Sequence, residues 1–237
     1  MTYKRIMLKL SGEAFSKDGK GQGIHQPSLH EVAKHISQVA KQGIEIVIVA
    51  GGGNIWRFRD QKGSGIERTA SDAMGMLATL MNSVALQAAL ESYGTETRVL
   101  SAIHVPQLAE PYIRRKALRH LSKGRVVICA GGTGNPYFTT DSAAALRALE
   151  LNCEVLLKAT NVDGVYDKDP NKFKNAKKYD TLTYSEAIEK HLGVMDQAAF
   201  SLCEDQKLPI CVFNFLDDKN LMKAATGKKV GTIVRAE

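Results

Sequence analysis

The sequence predicts an α/β fold with an open, mainly parallel central sheet and helices on both faces. Two observations carry this. Short β-rich runs alternate with longer segments patterned at helical spacing, and several of the runs are apolar nearly throughout, as strands covered on both faces must be. At 237 residues the chain fits one compact domain, 1–237.

The strand runs are RIMLKL (5–10), IEIVIVA (44–50), TRVLSA (97–102), RVVICA (125–130), EVLLKA (154–159), PICVFN (209–214) and GTIV (231–234). Between the first two, residues 28–41 read as a helix. Ser28-Leu29-His30-Glu31 has the form of a capping box after Pro27, and Leu29, Val32, Ala33, Ile36, Val39 and Ala40 make one stripe. Residues 72–93 read as a longer, more apolar helix containing Met74, Leu77, Met81, Ala85 and Leu86. Residues 141–151 form an alanine-rich helix, and Thr183-Tyr184-Ser185-Glu186 opens another with a second capping box. Asp72 and Asp141 each follow Ser or Thr at an expected helix start, where an acidic residue also complements the dipole. The loop-rich stretch 162–180 is the expected hinge.

Composition bounds the function. Lys+Arg number 32 against 25 Asp+Glu, giving a charge of +7, but aromatic residues are only 6%. The charge points to an anionic partner, while the few aromatics argue against a protein that stacks nucleic-acid bases. Cys129, Cys153, Cys203 and Cys211 lie far apart without CxxC or zinc-finger spacing, and three of them sit in apolar runs. Buried thiols in a reducing cytoplasm are expected, with no disulfide framework and no metal site. The basic start MTYKRIMLKLSGEAF is broken by Lys9 and lacks a signal-peptide pattern, and no run reaches the ~18 continuous apolar residues of a membrane span.

In an open α/β sheet, ligands bind at the carboxyl ends of the strands. Here three strand ends deliver glycine turns: Lys9-Leu10-Ser11-Gly12, Gly51-Gly52-Gly53-Asn54 with Arg57 close behind, and Gly131-Gly132-Thr133-Gly134-Asn135-Pro136. One such turn is more often only a turn. Three of them, accompanied by Lys9, Arg57 and the hydroxyls of Ser11, Thr133, Thr139 and Thr140, make a site for a polyphosphate. A Walker A loop is absent, since Gly19-Lys20 and Gly227-Lys228 lack both the first glycine and the following hydroxyl. GxGxxG after the first strand, HExxH and GxSxG are absent too.

KLSG, VIVAGGGN, Asp72-Ala73-Met74-Gly75-Met76, GTGNPYFTTDSAA (132–144), LKATNVDGVYDKDP (157–170) and VMDQAAF (194–200) resemble the bacterial uridylate kinases of the amino acid kinase superfamily. The resemblance runs from Lys4 to about Val234. It implies a three-layer sandwich of the amino acid kinase type, with a UMP-binding part near 1–150 and an ATP-binding part near 151–237. The implied activity is transfer of the γ-phosphoryl group of ATP to UMP, giving UDP and ADP in pyrimidine nucleotide biosynthesis, with Mg²⁺ carried by the nucleotide. Implied partners are UMP, ATP and further copies of the chain in a homohexamer, with the helix at 72–93 as an interface element. GTP or UTP are implied as allosteric effectors, and residues 18–23 correspond to the family's GTP-responsive loop. Neither a membrane nor nucleic acid as main partner is implied, and the location is cytoplasmic.

By the same resemblance, Lys9, Leu10, Ser11 and Gly12 would form the ATP phosphate loop, with Lys9 stabilising the transferred group. Gly52 would contact UMP, while Gly53 and Arg57 would lie on the ATP side. Asp72 would bind the UMP ribose, and Thr133, Gly134, Asn135, Pro136, Tyr137, Phe138, Thr139 and Thr140 would wrap uracil and ribose. Thr160, Asn161, Tyr166 and Asp169 would hold adenosine. Asp141 would orient Lys9 and organise the phosphates. Asp196, the remaining catalytic candidate, stands where relatives with carboxylate or carbamate acceptors carry lysine. Acetylglutamate, aspartate or carbamate as acceptor, and a non-catalytic nucleotide- or RNA-binding regulator, are the competing readings.

Overall fold

The computed structural model describes residues 2–19, 22–61, 65–170 and 172–236. Among these, the strands are β1 (Arg5–Leu10), β2 (Glu45–Ala50), β3 (Thr97–Ser101), β4 (Glu110–Pro111), β5 (Val126–Ala130), β6 (Val155–Thr160), β7 (Thr181–Thr183), β8 (Ile210–Asn214) and β9 (Thr232–Arg235). The helices are α1 (Gln26–Ala40), α2 (Arg68–Ser92), α3 (Arg114–Leu121), α4 (Thr140–Glu150), α5 (Tyr184–Glu189), α6 (Gln197–Asp205) and α7 (Asn220–Ala225). The strands form one sheet in the order β4-β3-β5-β2-β1-β6-β8-β9-β7. Its neighbours are parallel except β8 and β9.

Successive side chains of a strand point to opposite faces, and both faces are covered. Ile6, Leu8 and Leu10 of β1 join Ile46 and Ile48 of β2 under α1, α2 and α7. Met7, Val47, Val49, Val127 and Cys129 face the other way, under α3, α4, α5 and α6. Alternation therefore turns Lys9 toward the α4 side, where it is 9% exposed. Leu10 is fully buried in the opposite core, so its contribution to any ligand is limited to the main chain.

Several expected boundaries are corrected. The α1 helix starts before the proposed capping box: His25 is its N-cap without a side-chain capping bond, Pro27 fits the first turn, and Ser28 lies inside. The α2 helix begins at Arg68 after Glu67, so Asp72 sits one turn inside rather than at the start. Asp141 does lie in the first turn of α4, and Thr183 with Glu186 forms the expected capping box of α5. Among its described residues, the stretch 162–180 has no regular strand or helix, yet a bridge between Tyr166 and Lys178 pins it across its middle. In the 18–23 loop, Lys20 and Gly21 lie outside the described residues.

The α2 helix has the length and apolar composition of a membrane span. Its Leu80, Leu86, Ala89 and Leu90 nevertheless pack into the core, and buried Asn82 and Ser83 are hydrogen-bonded. It acts as a core helix.

Candidate active site

The turns after β1 and β2 touch backbone to backbone. The Gly51 N–H donates to the Leu10 carbonyl at 2.8 Å. A Cβ on Gly12 would stand 2.6 Å from Gly53 N, and one on Gly52 would stand 2.8 Å from the Ala78 Cβ. Only glycine permits this approach. The second turn is fixed from below by Asn82 of α2, whose amide donates to the Gly51 carbonyl and to Asn54 Oδ1, both at 2.7 Å. Nothing in the expected helical stripe marked Asn82, a wholly buried polar residue.

Beside these turns lies a buried charge cluster. Lys9 of β1 and Lys158 of β6 are register partners on adjacent parallel strands. The Asp141 carboxylate sits between them, with Oδ1 2.8 Å from Lys9 Nζ and Oδ2 2.8 Å from Lys158 Nζ. The contact to Lys158 is an aligned hydrogen bond; Oδ1 meets Lys9 as an ion pair without that alignment. Burial alone would raise the Asp141 carboxyl pKa, but the two lysine charges and their bonds outweigh it and hold it below the ordinary range. Burial pushes the Lys158 ammonium down, opposed by Asp141 and reinforced by Lys9. Lys158 also donates to the Val194 carbonyl at 2.6 Å. It lies within LKATNVDGVYDKDP but received no role there, although a lysine inside an apolar strand was itself a signal.

Asp196 closes the same region from the other side. It is the N-cap of α6, accepting from the Ala199 N–H at 2.9 Å, and it accepts from the hydroxyls of Thr139 and Ser142. Thr139 in turn caps α4, accepting from the Asp141 N–H at 3.0 Å. The cap of one helix thus holds the cap of another, and both flank Asp141.

Arg57 bridges the turns. Its Nε donates to the Gly53 carbonyl at 2.6 Å, and its guanidinium pairs with Glu13 at 2.5 Å. The other Glu13 oxygen accepts from the Asn161 amide at 3.2 Å. Glu13 was not among the sequence candidates; it follows the KLSG turn as the first acidic residue of a short 3-10 segment, Gly12–Phe15.

A cleft beside the second and third turns is walled by Gly52, Gly53, Asp72, Thr133, Asn135, Phe138, Thr139 and Thr140, with Trp56 and Met76 added. Gly134, Pro136 and Tyr137 do not line it. Tyr137 instead adopts a φ of 70° and presents its N–H to Asp72 Oδ2 at 2.8 Å. Arg68 pairs with both Asp72 oxygens and stacks over the rings of Phe58 and Tyr137. Arg68 and Trp56, which donates to Ser71 at 2.8 Å, carried no motif that pointed to them.

A second cavity, on the far side of Lys158, brings together Thr160, Tyr166 and Asp169 with the 190–194 turn. Asn161 does not join them; it lines a neighbouring cavity with Ser11 and Glu13. The Tyr166 hydroxyl donates to Asp163 at 2.5 Å.

No group of three or more His, Cys, Asp or Glu side chains gathers among the described residues. The carboxylates nearest the cluster, Asp141 and Asp196, are already engaged by lysines, hydroxyls and a backbone N–H. All four cysteines are free and buried, and burial raises every thiol, that of Cys129 to about 12.

The sequence profile of the amino acid kinase family matches residues 4–214. A uridylate kinase of Cereibacter sphaeroides is 57% identical over 214 residues, 90% of this chain and 87% of that protein. The crystal structure of a UMP kinase from Bacillus anthracis superposes with a TM-score of 0.96 at 40% identity, covering 100% of this chain and 98% of that one. A UMP kinase from Ureaplasma parvum gives 0.92 at 36% identity, covering 99% of this chain and 100% of that one.

Proposed function

The chain belongs to the amino acid kinase family and, within it, to the uridylate kinases; on that premise we propose how its strand ends transfer the γ-phosphoryl group of ATP to UMP. The observation that carries the proposal is the Lys9–Asp141–Lys158 cluster, which lies between a cleft walled by Asp72, Thr133, Asn135, Phe138, Thr139 and Thr140 and a cavity walled by Thr160, Tyr166 and Asp169. UMP occupies the first, mainly within 1–150. The adenosine of ATP occupies the second, mainly within 151–237. The strand-end turns at Ser11, Gly12 and Gly53 cradle the phosphates between them.

The acceptor oxygen belongs to a phosphate that is already ionised at neutral pH, so no general base is needed. The chemical demand is to bring two anions together and stabilise the charge of the transferred group. Lys9 does this at the centre and Arg57 at the turns, in a water-poor setting where each charge counts for more than in bulk solvent. Magnesium carried by ATP would supply further neutralisation of the phosphate charge. Asp141 orients Lys9, and Asp196 holds the start of α4 that carries Asp141.

Asp72 takes the ribose hydroxyls of UMP. Asn161, tied to Glu13, serves the phosphate turn rather than the adenine. Tyr137 and Pro136 shape the wall without touching the base.

The chain works in the cytoplasm as a homohexamer. Met74, Leu77, Met81 and Val84 form an exposed apolar stripe at helical spacing on α2, which suits burial against a second copy. An effect of GTP or UTP as allosteric effector would be read in the same assay.

An ADP-release assay with UMP, CMP, acetylglutamate, aspartate and carbamate tests the acceptor. Turnover is expected with UMP. Turnover on one of the acids, with none on UMP, would overturn the reading.

A further inference from the structure

Lys158 is a cation that no motif assigned, and its position is unusual. A charged side chain within a buried parallel strand is rare without a partner. Here it stands directly across from a second lysine, Lys9, on the neighbouring strand. Like charges facing each other across strands are destabilising. One carboxylate, Asp141, sits between them with an oxygen for each.

Counting charge explains the arrangement. Two ammonium groups and one carboxylate leave the trio with an excess of one positive charge. Asp196 lies close and keeps its own negative charge, its oxygens accepting from Ser142, Thr139 and the Ala199 N–H, and that charge acts on Lys158. Arg57 shares its charge with Glu13 through one guanidinium nitrogen. If Lys9 faced Asp141 alone, that pair would be neutral, and the carboxylate would hold Lys9 away from an arriving phosphate.

We propose that Lys158 is a positioning residue: it occupies the second oxygen of Asp141, so that Lys9 shares the carboxylate and keeps its positive charge for the transferred phosphoryl group. Lys158 thereby acts through Asp141 and Lys9 on turnover, while UMP binding at Asp72 is untouched. The inference rests on the reading of Lys9 as the group that stabilises the transferred phosphoryl. The rival description makes Lys158 a strut tying β6 to the Val194 turn through its 2.6 Å bond to the carbonyl.

Steady-state kinetics of variants at Lys158, Asp141 and Lys9 separate the two. Lys158→Met is expected to lower kcat about 10–100-fold with KM for UMP within about twofold. Lys158→Gln retains a donor but loses the charge, and it is expected to fall as far. The Asp141→Asn/Lys158→Met double variant restores the excess positive charge on Lys9, and it is expected to regain at least about tenfold in kcat over Lys158→Met alone. Should Lys158→Met fail to fold, Lys158→Gln against Asp141→Asn/Lys158→Gln asks the same question. Wild-type kcat in Lys158→Gln, or a double variant no faster than its single parent, overturns the proposal. Lys9→Met is the control: undiminished turnover there would sink the reading of Lys9 itself, separately from any result on Lys158.

Discussion

The carboxylate of Asp72 on α2 accepts the backbone N–H of Tyr137 at 2.8 Å, joining the two walls of the proposed UMP cleft across 65 residues of sequence. Arg68, one turn earlier, pairs with the same carboxylate. Asp72 is therefore oriented before any ribose arrives, and the Tyr137 turn is held in its left-handed conformation by the bond it makes.

Asp72→Asn should raise KM for UMP by roughly 10–100-fold, the scale of a lost hydrogen bond to a charged group. The kcat at saturating UMP should change far less. Initial rates over a UMP series at fixed ATP measure the split. An unchanged KM would remove Asp72 from the ribose.

Lys9→Met should reduce kcat by roughly 10²–10³-fold, as for loss of one donor aimed at developing charge. Calorimetric titration with UMP should give an affinity close to wild type, because Lys9 lies on the strand between the two clefts rather than in the Asp72 wall. Equal losses in binding and turnover would contradict that placement.

How much of this was legible in the sequence differs from residue to residue. The β1, β2, β5, β6 and β8 strands announced themselves because burial on both faces demands apolar runs. The β4 and β7 strands, two and three residues long at the edges, have no such demand on them. The α3 helix, RRKALRHL, buries only Ala117 and Leu121, too few to show a stripe. Asp72 appeared to start a helix because Ser71 resembled a cap; the helix runs back to Arg68, where no sequence cap marks it. In the site, Lys9 was found through the KLSG turn. Lys158 occupies the matching position on the next strand, but only the register of β1 against β6 reveals the pairing. Glu13, Asn82 and Arg68 depend on contacts across 28 residues or more, or on ring stacking, and neither is written in local pattern.

Asp141→Asn should destabilise the protein by about 3–5 kcal/mol at neutral pH, because it strands two buried ammonium groups. The Asp141 pKa is depressed in the folded chain, so the native state binds this proton less readily than the unfolded one. Its stabilisation is complete above the unfolded carboxyl value of about 3.9 and is lost as pH falls through the lower folded value. Urea unfolding across pH should show the gap between wild type and variant closing only below about pH 4. A gap that closes near neutrality would contradict the assignment.

Gly12→Ala would place a methyl 2.6 Å from Gly53 N, backbone against backbone. The two phosphate turns must then part, at a cost of about 1–3 kcal/mol in stability and with a larger proportional loss of turnover. Thermal unfolding and kcat measured together would check this. A fully active Gly12→Ala would show that the close approach is dispensable.

Met81→Asp introduces a charge into the exposed α2 stripe, where Met81 is 56% exposed in the single chain. Sedimentation should show a shift to smaller particles with little change in helix content. Unchanged sedimentation would move the interface off this face.

The most direct measurement is phosphorus NMR of wild-type enzyme with ATP, Mg²⁺ and UMP. The account predicts that the β-phosphate signal of UDP grows in step with ADP, one for one, and that both slow by roughly 10²–10³-fold in Lys9→Met. ADP formed with inorganic phosphate and no UDP would contradict it, as would UDP formed at the wild-type rate without Lys9.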